Sequence, residues 1–164
     1  MDDNLKTELS KYRFSRAKEN LESAKQLFEA KLFNDSVGRS YYAIFSAIRA
    51  ILALDGVDFK KHSGVISYFQ KEYLKTKIFD QKYSDYVRSA FDSRSEADYR
   101  DFVKVSNEDA LNQLNRAKEM LEVIKKYLKE VRNIDMWKEC KEFKLRMTAN
   151  CRYFFVVFLW GFVV

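Results

Sequence analysis

Proline is absent from this chain of 164 residues, and glycine occurs four times. Hairpin turns and tight connections lean on those two residues. A β-sandwich or a βαβ array needs many such turns, whereas a bundle of long helices with few short loops needs almost none. The chain is therefore predicted to be all-α, an antiparallel bundle of four main helices plus a short one. The hydrophobic content of 47% suffices for a real core and argues against wholesale disorder. The length fits one domain.

Periodicity places five helical segments. In the first, over about residues 3 to 30, Phe14, Ala17, Leu21, Ala24 and Phe28 recur at steps of three and four. A break around Leu32 to Asp35 follows, with Asn34, Asp35 or Ser36 able to cap the next helix. The second segment, about 36 to 55, is apolar nearly all round, which marks it as the central helix. Asp55-Gly56 ends it, with Gly56 suited to a left-handed turn. A third segment runs to Leu74 and a fourth from about Asp80 to Ser93. The fifth opens on Ser106-Asn107-Glu108-Asp109, which resembles a capping box. Its expected inward seam is Leu111, Leu114, Ala117, Leu121, Ile124, Leu128 and Val131.

Of the formal net charge of +6, the six basic and three acidic side chains of residues 132–164 supply half. The body is then only mildly basic and has no run of the kind that grips nucleic acid non-specifically. Cys140 and Cys151 have no nearby histidine and match no zinc spacing. They read as reduced thiols of a cytoplasmic protein. The start, MDDNLKTELSK, has no apolar core of a secretory signal. Residues 1–131 read as the bundle and 132–164 as an atypical tail, basic and then apolar. The apolar run Tyr153 to Val164 is twelve residues, short of the roughly twenty that span a bilayer. It could dock on the body or be a tail anchor cut short, but the loss of amphipathic patterning favours a segment without a native role. No membrane association is expected unless that tail is native.

Three features carry chemistry. His62, in FKKHSGV, is the one histidine and sits at the expected start of a helix, where backbone donors favour an anion. Arg39, with Tyr42 nearby, lies in the apolar second helix, where a guanidinium calls for a carboxylate such as Glu96 or Asp98, or for a phosphate. Arg94, Asp98 and Tyr99 form R-x-x-x-D-Y, and positions 94 and 98 share a helix face. Each also has a plain structural reading: a loop residue, a buried ion pair, a surface pair. The tyrosines are mostly core by spacing, with Tyr42, Tyr83, Tyr86 and Tyr99 as candidate exceptions.

Taken in order, RSYYAIFSAIRAIL, FKKHSGVISYF and RSEADYRDF resemble the HEPN domain superfamily, in its small stand-alone prokaryotic branch, over about residues 10 to 131. The resemblance implies a helical bundle, often a homodimer, and often the toxin half of a toxin–antitoxin or defence pair with a minimal nucleotidyltransferase. It also implies metal-independent RNase chemistry in members that carry an arginine followed, after four to six residues, by histidine. Here Arg94 stands at the arginine position and Tyr99 where the histidine belongs, and no arginine has a histidine at that spacing. Tyrosine, with a pKa near 10, is a poor base at neutral pH. The resemblance thus implies phosphate binding to nucleotide or RNA through Arg39, Tyr42, His62, Arg94 and Asp98. The alternative is an atypical RNase using His62, Arg94 and Tyr99. Neither reading calls for a metal or a cofactor.

Overall fold

The computed structural model of the chain describes residues 2–99 and 105–134, with side chains as far as Asp92 in the first stretch. Among the described residues there are five α-helices and no strand. They are α1 (Asp3–Glu29), α2 (Phe33–Leu54), α3 (His62–Phe69), α4 (Lys82–Tyr99) and α5 (Asn107–Glu130). α3 continues into a π-helical turn, Gln70–Leu74.

α1 and α2 form the most extensive pair. Ser36 donates to the Ala24 carbonyl at 2.8 Å, Arg39 to Asn20, and Arg13 to the Arg49 carbonyl. Rising numbers on one helix meet falling numbers on the other, so the pair is antiparallel. α4 and α5 cross-link in the same sense: Glu119 meets Tyr83 and Tyr86, and Arg116 meets Ser89.

α2 is the central helix, packed by α1, α3, α4 and α5. Ile44, Ala47, Ile48, Ala50 and Ile51 are fully buried on it. By length and composition α2 could cross a membrane, yet two thirds of its apolar window is buried inside the bundle. It is not apolar all round, however. Arg39, Tyr42, Ser46 and Arg49, spaced three, four and three apart, form a stripe that stays accessible.

Two local expectations need correction. α2 begins at Phe33, three residues earlier than read, and has no side-chain cap. Ser36 donates instead to Ala24, Asn34 accepts from the Val105 N–H, and Phe33 packs on the Phe28 ring at 5.6 Å. Tertiary partners have claimed the residues that local logic reserved for capping. Leu111 on α5 and Val131 at its C-cap are exposed, while Ala110, Gln113, Met120 and Tyr127 join the buried face. The seam is rotated slightly from the leucine pattern, and Tyr127 packs on Tyr73 of the π turn and on Phe79. Two caps hold as read: Gly56 has φ +74°, and Ser106 accepts from the Asp109 N–H at 3.0 Å.

Candidate functional site

The accessible stripe of α2 faces a matching stripe of α1, and a cleft of about 520 Å³ lies between them. Arg13, Arg16 and Asn20 line it from α1, Arg39, Tyr42 and Arg49 from α2, and His62 closes it at the start of α3. The spacing explains the convergence. Positions 13, 16 and 20 and positions 39, 42, 46 and 49 each fall on one side of a helix. Three candidates nominated from the sequence, Arg39, Tyr42 and His62, therefore share one cavity.

Arg39 donates to the Asn20 side-chain oxygen at 3.4 Å. It is exposed, so the expected cost of burying its charge does not arise. Among the described residues it has no carboxylate partner, so its charge faces the cleft. The Arg94, Glu96, Asp98 and Tyr99 side chains lie outside the described residues, so no ion pair between them and Arg39 is established. The α4 backbone is helical through all four positions.

Arg16 pairs with Glu19 on its own helix at 2.6 Å. Arg13 and Arg49 share one carboxylate, that of Asp58 in the α2–α3 loop. Arg13 Nη2 lies 2.6 Å from Oδ2, and Arg49 Nη2 lies 2.9 Å from Oδ1 and 3.0 Å from Oδ2. The Phe59 N–H also donates to Oδ1 at 3.0 Å. Burial alone would raise the Asp58 carboxyl, but the hydrogen bonds from Arg49 and Arg13 outweigh it and hold the group below its ordinary value. Burial and the neighbouring Arg49 cation lower the Arg13 guanidinium against the pull of Asp58. Among the described residues four guanidiniums line the cleft and two carboxylates answer them, which leaves a surplus of positive charge there.

His62 is held from two sides. Its Nδ1 is 2.8 Å from the Tyr41 hydroxyl, and its ring lies 4.2 Å from that of Phe45. Tyr41 is fully buried and also packs against Phe91 of α4. A helix start, a buried phenol and a phenyl ring thus fix the imidazole at the cleft. Tyr83 and Tyr86, by contrast, direct their hydroxyls to Glu119, where Lys82 also pairs at 2.6 Å. They belong to the α4–α5 interface.

Sequence reading missed Arg13, Arg16 and Arg49. The signal available was their register: α1 sets arginines at 13 and 16 beside the apolar stripe, and α2 repeats Arg39 at Arg49. What the register could not give was the loop carboxylate, since Asp58 and Arg13 are far apart in sequence.

Comparison with known proteins agrees with this architecture. A family model described as the HEPN domain matches residues 10–127. "Putative toxin MJ0142" of Methanocaldococcus jannaschii is 33% identical over 123 residues, 75% of this chain and 83% of that protein. A UPF0332 protein of Thermotoga maritima is 30% identical over 129 residues, 79% of this chain and 98% of its own length. "Putative toxin MJ0605" of Methanocaldococcus jannaschii is 37% identical over 115 residues, 70% of this chain and 85% of that protein.

Proposed function

The chain belongs to the HEPN domain family, and on that premise we propose that it is a toxin-type member whose α1–α2 cleft binds the phosphates of RNA or of a nucleotide. The observation that carries this reading is the convergence of Arg39, Tyr42 and His62 with three further arginines in one cavity. Guanidiniums recognise phosphate oxygens through charge-assisted, forked hydrogen bonds. Tyr12 and Tyr42, on opposite helices at this cleft, offer ring surface to a base. Names given to two relatives support the toxin-type assignment. A homodimer and a minimal nucleotidyltransferase partner complete the proposal; Leu111 on α5 and Val131 at its C-cap, both exposed, are apolar surface that such partners would cover.

The test is the affinity of wild type and Arg39→Ala for a fluorescent single-stranded oligoribonucleotide and for ATP. Loss of one charge-assisted contact should weaken binding roughly ten- to a hundredfold. The melting temperature should stay the same, because Arg39 is exposed and its described partner is a neutral amide. Unchanged affinity for both probes would refute the cleft as the phosphate site.

A second reading has one observation in its favour: His62, the histidine an RNase would need, lines this same cleft. Its mechanism would have His62 take the proton of a 2′-hydroxyl while an arginine stabilises the phosphorane. Incubating the protein with RNA in the presence of EDTA decides it. Cleavage that leaves 2′,3′-cyclic phosphate ends and vanishes in His62→Ala supports the RNase; intact RNA leaves the binding module.

A further inference from the structure

Among the described residues Asp58 is the one loop carboxylate that reaches the cleft's arginines, and its geometry is that of a ligand more than of a strut. Arg13 comes from α1 and Arg49 from α2, both rigid elements, while the Phe59 N–H that also donates to the carboxylate belongs to the same loop as Asp58. The cations form the less accessible half: the Arg13 side chain is 10% exposed and that of Arg49 34%. The anion is the accessible half, with the Asp58 side chain 52% exposed. It rides on a loop that leaves α2 through Gly56, in the left-handed conformation. The match is also incomplete. One carboxylate carries one negative charge against two guanidiniums, and the Arg49 Nε is buried with no hydrogen-bond partner among the described residues. A carboxylate has two oxygens to offer. A phosphate monoester has three terminal oxygens and nearly twice the charge near neutral pH, which suits two guanidiniums better.

We propose that Asp58 is an internal stand-in for a phosphate monoester: it fills an oxyanion subsite made by Arg13 and Arg49, and a terminal phosphate entering the cleft takes that subsite by displacing the α2–α3 loop. This rests on the reading of the cleft as a phosphate site and adds what it selects, the monoester of a nucleotide or of an RNA end over the internal diester. It also gives Asp58 a role: the residue sets the threshold that an anion must exceed to bind, because any ligand must first replace a carboxylate already seated.

The experiment compares wild type, Asp58→Asn and Arg39→Ala for binding to three probes: uridine monophosphate, a 5′-phosphorylated uridylate hexamer, and the same hexamer with a 5′-hydroxyl. Removing the competing charge should tighten binding of a monoester probe roughly tenfold or more, and the 5′-hydroxyl hexamer should gain less. A gain for the phosphorylated hexamer alone identifies an RNA end, a gain for the mononucleotide alone a free nucleotide, and both outcomes sustain the subsite. Wild type provides a second measurement should Asp58→Asn unfold: amide exchange across residues 55–61 should accelerate when a monoester is bound, since the loop is released. The proposal is overturned if folded Asp58→Asn binds the monoesters no tighter than wild type, or if that exchange is unchanged or slowed. If Arg39→Ala still weakens wild-type binding in that case, the cleft stands and the stand-in falls. If no variant binds any probe, both fall together.

Discussion

Asp55 accepts Arg132 Nη2 at 2.8 Å and the Tyr73 hydroxyl, while Arg132 also bonds the Tyr127 hydroxyl and lies over its ring. Asp58, three residues later, faces two guanidiniums from two helices and lies open to solvent. One aspartate closes a network in which a single cation meets a single anion and two phenols supply the rest. The other sits, among the described residues, in a network with cation to spare and a buried donor unsatisfied. A balanced knot stabilises a fold, and an unbalanced one is where an outside anion gains by binding. The difference is drawn by topology: Asp55 caps α2 over the aromatic floor of the π turn and α5, whereas the chain past Gly56 turns back to the α1–α2 cleft.

The comparison breaks most visibly at Tyr73. This ring is 2% exposed and packs among Phe69, Phe79 and Tyr127, and burial together with the hydrogen bond to Asp55 pushes its phenol well above the ordinary range. Tyr73→Ala should cost about 3–5 kcal/mol of stability by leaving a cavity. Tyr73→Phe keeps the ring and leaves one Asp55 bond unmade, so it should cost about 1 kcal/mol. Neither change touches the cleft. Chemical denaturation beside oligonucleotide binding checks both halves: a Tyr73→Phe variant that unfolds at wild-type denaturant but binds RNA poorly would reverse the assignment of the two networks.

The bundle was legible because its signals are local and repeated. Phe14, Ala17 and Ala24 on α1, and Ala117, Leu121, Ile124 and Leu128 on α5, are buried as their spacing predicts. Capping at Ser106 and Gly56 is decided within a few residues and was read correctly. The start of α2 was misread because Asn34 and Ser36 spend their side chains on Val105 and Ala24, distant in the chain. The candidate site was legible only as single residues that the fold places in one cleft. Arg39, Tyr42 and His62 stood out as polar residues beside an apolar helix. Arg13 and Arg49 were not singled out, because it is Asp58 that brings them together, a contact that spans 45 residues for Arg13. Arg94, Asp98 and Tyr99 lie outside the described side chains, so the resemblance alone speaks for them.

Gly56 separates the two aspartates and gives a smaller, sharper test. Its φ of +74° is a conformation that L-residues adopt at a cost, and an added Cβ would come within 3.3 Å of the flexible Lys6 side chain. The lysine can give way, so the backbone term decides. Gly56→Ala should lower stability by about 1 kcal/mol. If the loop pivots here to release Asp58, the stiffer backbone should also change the affinity for a phosphate monoester, while the Asp55 knot keeps its geometry. A stability loss with unchanged affinity would place the pivot elsewhere in residues 57–61.

The smallest effect is the acid limb of stability, which Asp58 should shape. Its folded carboxyl titrates below the ordinary 3.8 because the hydrogen bonds from Arg49 and Arg13 outweigh burial. A depressed carboxylate contributes stability that is fully present above its unfolded value and is lost as pH falls through the folded one. Wild type should therefore exceed Asp58→Asn in melting temperature near neutral pH. The gap should hold down to about pH 5 and then close below about pH 4 as Asp58 takes up a proton and releases its arginines. The pair is half-open to solvent, so screening keeps the gap small and added salt should shrink it further. Other carboxylates, Glu119 among them, titrate alike in both proteins and cancel in the difference. A gap that stayed constant from neutral to acid pH would mean that the charge of Asp58 does not stabilise the arginine pair, and the unbalanced network would lose the anion on which its contrast with Asp55 depends.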